Sequence, residues 1–216
     1  MKVRLAVLAC LLMVGCAVFP SGSSLSSSIG PGKAPSSLEG AAESRAPVIF
    51  ANASEETGLS GVGGNFLAWG DYDNDGHQDL LVDGQRLFRN NGPPGYKFTE
   101  VTAQAGIGGS GVNCGNWADY DNDGYLDLYC PSGGWSTDYS PLWDILWHNN
   151  GDGTFKNVTE KAGHVTDTFP SVAAGWGDYD RDGFVDLYVA NYENAAMSAF
   201  YPDVLWHNDG DGTFTN

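Results

Sequence analysis

Trp69-Gly-Asp-Tyr-Asp-Asn-Asp-Gly-His-Gln-Asp-Leu80 recurs as Trp117-Ala-Asp-Tyr-Asp-Asn-Asp-Gly-Tyr-Leu-Asp-Leu128 and as Trp176-Gly-Asp-Tyr-Asp-Arg-Asp-Gly-Phe-Val-Asp-Leu187. A second block follows each copy: Leu87-Phe-Arg-Asn-Asn-Gly92, Leu146-Trp-His-Asn-Asn-Gly151 and Leu205-Trp-His-Asn-Asp-Gly210. A third block comes next, in Tyr96-Lys-Phe-Thr-Glu-Val-Thr102, Gly153-Thr-Phe-Lys-Asn-Val-Thr159 and Gly212-Thr-Phe-Thr-Asn216. Self-similarity of this length marks a repeat architecture. Within one repeat the apolar runs are short and separated by Gly, Asn, Asp and Pro, which predicts strands and turns. In the first repeat four strands are expected, near residues 66–70, 79–83, 86–90 and 96–101. Four short antiparallel strands per repeat predict an all-β fold, a β-propeller whose blades bury their faces against one another. The blades are expected near residues 65–102, 112–159 and 172–216. Propellers close with about four to eight blades, so these three predict a partial propeller, either a piece of a longer protein or an arc that needs a partner. Val48-Ile-Phe-Ala-Asn-Ala-Ser-Glu-Glu-Thr-Gly-Leu59 aligns with Phe98 to Ile107, so the region from residue 47 is expected to open with a strand of the fourth type.

The three Asp-rich loops carry the chemistry. They offer Asp71, Asp73, Asp75 and Asp79; Asp119, Asp121, Asp123 and Asp127; and Asp178, Asp180, Asp182 and Asp186. Positions 1, 3 and 5 of each loop can turn carboxylates inward, Gly76, Gly124 and Gly183 permit the bend, and position 9 closes the shell from the next strand. The backbone carbonyls of His77, Tyr125 and Phe184 are further candidate ligands. Four carboxylates about 4–5 Å apart repel by several kcal/mol at an effective dielectric of roughly 20, and a divalent cation relieves that repulsion. Oxygen-only donors on a flexible loop favour Ca²⁺ over Mg²⁺, zinc or copper, and about three ions are expected. The loop is not an EF-hand, because position 12 is Val82, Cys130 or Val189 and no helices flank it. An Asp-rich turn capped by its own backbone, without metal, is the alternative.

The motif and its setting resemble the VCBS/FG-GAP repeats of integrin-α-like β-propellers, including bacterial proteins that also carry ASPIC/UnbV domains. The resemblance covers residues 47–216 and implies calcium on the twelve Asp named above. It also implies adhesion or recognition outside the cell.

Composition agrees with an exported acidic domain. Lys+Arg 10 against Asp+Glu 27 gives a net charge of −17, which argues against nucleic acid as a partner. A hydrophobic content of 42% with 12% aromatics is enough for a packed core. Residues 1–15 read as a signal peptide: Lys2 and Arg4, then an apolar run from Leu5 to Val14 that is too short for an ordinary membrane span. Leu12-Met-Val-Gly-Cys16 resembles a lipobox, which implies acylation of Cys16 and a membrane link through that lipid alone; simple secretion is the alternative. Residues 16–46 are rich in Ser, Gly, Ala and Pro and read as a tether.

The loop joining the second and third strands is longer in the second and third repeats. It brings Trp135, Tyr139 and Trp143 in one, and Tyr192, Phe200 and Tyr201 in the other. Aromatics on long loops above a rigid scaffold are candidate anchors for a protein or glycan partner; the alternative is that they cover the blade ends. Cys114 and Cys130 replace apolar residues of the other repeats at neighbouring strand positions, so a disulfide is expected, with a buried pair of thiols as the alternative. No catalytic constellation is evident, and His148 and His207, which recur at one repeat position, read as scaffold. The expected function is a calcium-binding, non-catalytic recognition or adhesion module. The alternatives are part of a polysaccharide-acting enzyme whose active site lies in other blades, or a purely structural scaffold.

Overall fold

Among the described residues, short apolar runs between turn residues form twelve strands. The first repeat gives β1 (Leu67–Gly70), β2 (Asp79–Val82), β3 (Arg86–Asn90) and β4 (Phe98–Glu100). The second gives β5 (Asn116–Ala118), β6 (Asp127–Cys130), β7 (Ile145–Asn149) and β8 (Phe155–Asn157). The third gives β9 (Ser171–Gly177), β10 (Asp186–Asn191), β11 (Val204–Asn208) and β12 (Phe214–Thr215). This computed structural model describes residues 50–108, 115–132, 143–166, 169–192 and 201–216. Each repeat is one four-stranded antiparallel sheet with its strands in sequence order. The register repeats as well: Trp69 pairs with Leu80, Trp117 with Leu128 and Trp176 with Leu187. The fold is all-β, as expected.

Strand residues alternate between the two faces of a sheet, and the sequence supplies apolar side chains to both. On the first sheet, Leu80, Val82 and Phe88 form one face, while Leu81 and Leu87 turn the other way, toward Leu128, Cys130, Trp147 and Phe155 of the second sheet. Tyr129 and Leu146 of the second sheet in turn pack against Leu187, Val189 and Phe214 of the third. Each fully buried Leu contributes roughly 1.5–3 kcal/mol relative to exposure, so the stacking of sheets holds the arc together. First strands of successive sheets are neighbours, which Gly70 permits: a Cβ there would lie 2.9 Å from Trp117 Cδ1. Tyr72 and Tyr120 are buried between sheets, whereas their counterpart Tyr179 is 59% exposed on the outer face of the third. Trp69 is likewise 56% exposed on the outer face of the first. The three blades form a partial propeller with two open faces, and no ring closes among the described residues.

Two single-turn helices depart from the pure strand-and-turn expectation. α1 (Ser54–Thr57) and α2 (Thr102–Ala105) lie at aligned positions and end on Gly58 (φ 81°) and Gly106 (φ 71°), left-handed conformations suited to glycine. α2 buries Ala105 in the core between the first two sheets. The strand expected to open at Val48 is absent over residues 50–53, where Phe50 is 95% exposed; β12 already holds the fourth place in the third sheet. The signal peptide, Cys16 and the tether lie outside the described residues, as does Cys114, so only one end of the expected disulfide is placed: Cys130 is fully buried between the first two sheets. Among the described residues no helix is long and apolar enough to cross a membrane.

Candidate metal centre

The loop between the first and second strands of each blade is shaped by its own carboxylates. The position 1 side chain accepts two or three backbone N–H bonds across the turn. Asp75 N donates to Asp71 Oδ1 (3.0 Å) and Gly76 N to Asp71 Oδ2 (2.9 Å). The second loop repeats this, with Asp123 N to Asp119 Oδ1 (2.9 Å) and Gly124 N to Asp119 Oδ2 (3.0 Å). In the third, Arg181 N (2.6 Å) and Asp182 N (3.2 Å) donate to Asp178 Oδ1 and Gly183 N to Asp178 Oδ2 (3.2 Å). Position 5 accepts from the N–H of position 7, as His77 N to Asp75 Oδ1, Tyr125 N to Asp123 Oδ1 and Phe184 N to Asp182 Oδ1, each 2.9 Å. Position 4 is left-handed in all three (Asn74 φ 56°, Asn122 φ 59°, Arg181 φ 67°), a conformation Asn tolerates well.

Position 9 is the buried anchor. Asp79, Asp127 and Asp186 open the second strands and are at most 1% exposed. Tyr72 N (3.2 Å) and Asn90 N (2.7 Å) donate to the two oxygens of Asp79. Tyr120 N (3.2 Å) and Asn149 N (2.8 Å) do so for Asp127, and Tyr179 N (3.1 Å) and Asn208 N (2.9 Å) for Asp186. The Asn ends the third strand, so this bond ties the Asp loop to the neighbouring turn. That role of the Asn-Asn/Asp-Gly block was not read from the sequence, though its strict recurrence was the available signal.

Position 3 differs from these. The Oδ1 atoms of Asp73 and Asp121 are buried and accept no hydrogen bond, an arrangement that costs roughly 1–3 kcal/mol for each polar group left unsatisfied. Ligand atoms of Asp71, Asp73 and Asp79 lie within 4.8 Å of one another, as do those of Asp119, Asp121 and Asp127, and those of Asp178, Asp180 and Asp182. Asp75 is outside the first set. A buried, unpartnered carboxylate oxygen beside two more carboxylates fits a hard cation and an oxygen-only donor set. Burial pushes the Asp79 carboxyl up to about 7 and that of Asp127 up to about 8, against the two backbone N–H bonds that each accepts. Burial also raises Asp73, with the neighbouring Arg89 charge opposing, and raises Asp121, with Asp123 adding to the effect.

A residue on the third strand reaches each loop. Arg89 Nε lies 2.7 Å from Asp73 Oδ2 and its NH2 group 3.3 Å from Asp75 Oδ2. His148 Nδ1 is 3.3 Å from Asp121 Oδ2 and 3.2 Å from Asp127 Oδ1, without a well-aligned hydrogen bond to either. His207 Nδ1 is 3.6 Å from Asp180 Oδ2 and 3.1 Å from Asp186 Oδ1. The two histidines expected to be scaffold therefore border the loops: His148 joins Asp121 and Asp123, and His207 joins Asp180 and Asp186, in sets able to hold a metal ion. The side chains of Tyr125 and Phe184 lie over Gly151 and Gly210, where an added Cβ would come within 2.8 Å of either ring.

Successive loops are also joined to one another. Asn74 Nδ2 donates to Gly124 O (2.8 Å) and Asn122 Nδ2 to Gly183 O (3.1 Å). Asn149 Nδ2 donates back to Tyr72 O and Asn208 Nδ2 to Tyr120 O, both 2.8 Å.

At the opposite ends of the strands, Trp143 is 54% exposed just before β7. Tyr201 is half-buried with its ring 5.1 Å from Phe169, and Tyr192 N donates to Pro170 O (2.9 Å). Trp135, Tyr139 and Phe200 lie outside the described residues.

The raised carboxyls set a pH dependence for the metal-free protein. Asp79 and Asp127 keep their protons in the fold up to about 7 and 8, whereas in the unfolded chain they lose them near 3.8. The folded state thus binds more protons across that window, and the stability these groups contribute is full below it and is lost as pH rises. With EGTA present, the thermal midpoint is expected to fall between pH 5 and pH 8. A midpoint that is flat or rises over this range contradicts the burial described above.

A family model described as FG-GAP-like repeat matches residues 135–189, which run from before β7 through the third Asp loop into β10. No curated protein matches the chain. The match and the three four-stranded sheets together support an FG-GAP-type repeat in a propeller-like module.

Proposed function

We propose that this chain is an exported, calcium-binding propeller module that recognises a protein or glycan partner and performs no catalysis. The observation that carries the reading is the convergence of Asp carboxylates in three equivalent loops, with buried Oδ1 atoms of Asp73 and Asp121 lacking any partner. In each loop positions 1, 3, 5 and 9 would hold the ion, with the carbonyls of His77, Tyr125 and Phe184 as further oxygen donors. Bound calcium would supply charge neutralisation: it offsets the mutual repulsion of the carboxylates and the cost of burying position 9. The protein's own part is to pre-form the turn through the N–H bonds to positions 1 and 5. The FG-GAP-like match supports this reading.

Export and anchoring rest on residues 1–15 and Cys16, whose pattern supports a lipoprotein signal. Recognition is assigned to the end of the blades opposite the Asp loops, where Trp143 offers an exposed, rigid apolar ring.

Arg181 stands at position 4 of the third loop and is exposed, which makes it a reporter of loop order. Trypsin cleavage after Arg181 is expected to slow at least ten-fold when 1 mM calcium replaces EGTA, and far less with 1 mM magnesium. Equal cleavage rates in calcium and EGTA argue against metal in that loop. On the opposite face, Trp143→Ala is expected to abolish binding of the full chain to whichever glycans it captures on an array, with its melting curve unchanged. Retained binding removes Trp143 from the recognition surface.

A further inference from the structure

The three loops share their carboxylates but not the residue that leans over them. In the second and third loops that residue is His148 or His207, and in the first it is Arg89. A neutral imidazole keeps a lone pair that can join a metal's ligands. A guanidinium has no acceptor and stays charged at any ordinary pH. Arg89 also projects from a strand, β3, so it is held over the loop without having to reorganise it. Its Nε at 2.7 Å from Asp73 Oδ2 engages one of the three carboxylates that converge in the first loop, and its NH2 group at 3.3 Å from Asp75 Oδ2 engages the next Asp along.

We propose that Arg89 makes the first loop the weak metal site of the three, by standing as an internal cation where calcium would act. This proposal rests on the reading that the loops bind calcium. The site is weakened and not abolished: Asp73 Oδ1 remains buried without a partner, and the Arg89 side chain, 44% exposed, can swing into water once an ion competes for its carboxylates. Calcium therefore fills the second and third loops first, and the first loop responds only at higher concentration. One chain thereby carries two classes of site built on the same Asp pattern.

Equilibrium dialysis of the full chain against radioactive calcium tests this. The wild-type chain is expected to take up two tight equivalents and a third at least ten-fold weaker. Asp71→Asn removes the weak equivalent and leaves the tight pair. Arg89→His brings the third equivalent into the tight class, and His148→Arg moves one tight equivalent into the weak class. Circular dichroism establishes that each variant is folded; should Arg89→His not fold, Arg89→Met and His148→Arg make the same comparison. Three equivalent sites in the wild-type chain, or a third site unmoved by replacing Arg89, overturn the assignment of Arg89 while leaving calcium binding intact. Absence of uptake by the wild-type chain and every variant overturns the calcium reading itself, and this proposal with it.

Discussion

At the start of every second strand the chain buries a carboxylate, and the cost of desolvating that charge is what the surrounding structure is arranged to offset. Asp79, Asp127 and Asp186 each accept one N–H from the Tyr of their own loop and one from the Asn that ends the third strand. These paired bonds pin the loop to the neighbouring turn. They also decide which side chain looks into the loop, because Arg89, His148 and His207 immediately precede that Asn. Two N–H donors do not fully compensate a buried charge, as the raised carboxyls of Asp79 and Asp127 indicate. The remaining deficit is what a hard cation would make up.

The same residues wire one blade to the next. Asn149 and Asn208 use their side-chain amides to reach Tyr72 O and Tyr120 O of the preceding blade, while Asn74 and Asn122 reach forward to Gly124 O and Gly183 O. The Tyr whose carbonyl is held in this way buries its ring between the same two sheets. Packing and polar bonding thus converge on the loops, so a change in loop order is felt at the stacking of the blades. At the outer face of the third sheet the pattern stops, and Tyr179 is left exposed.

Much of the architecture was legible in the sequence because the repeat is locally determined. The strands expected near 66–70, 79–83, 86–90 and 96–101 appear as Leu67–Gly70, Asp79–Val82, Arg86–Asn90 and Phe98–Glu100. The clustering of Asp71, Asp73 and Asp79 was legible for the same reason: an alternating pattern with Gly at the bend leaves the backbone few choices. What was not legible depends on partners distant in the chain. Nothing within one repeat says that its Asn will bond to the previous blade's Tyr carbonyl, and the register that sets His148 beside Asp127 of the adjacent strand is fixed by strand pairing and not by the local pattern. The one-turn helices were missed because Ser54–Thr57 and Thr102–Ala105 are too short for a hydrophobic period. The strand expected from Val48 failed over residues 50–53, since alignment with another repeat supplies a pattern but no sheet edge to pair with.

Whether the Asp loops are calcium sites on which the fold relies is tested most directly by the thermal midpoint of the purified chain against free calcium. A saturable rise in midpoint is predicted, complete within the roughly 10⁻⁴–10⁻³ M range of extracellular sites and not reproduced by magnesium at equal concentration. A folded chain whose midpoint is unmoved by several millimolar calcium, well above that range, would contradict the account and leave the loops as acidic turns.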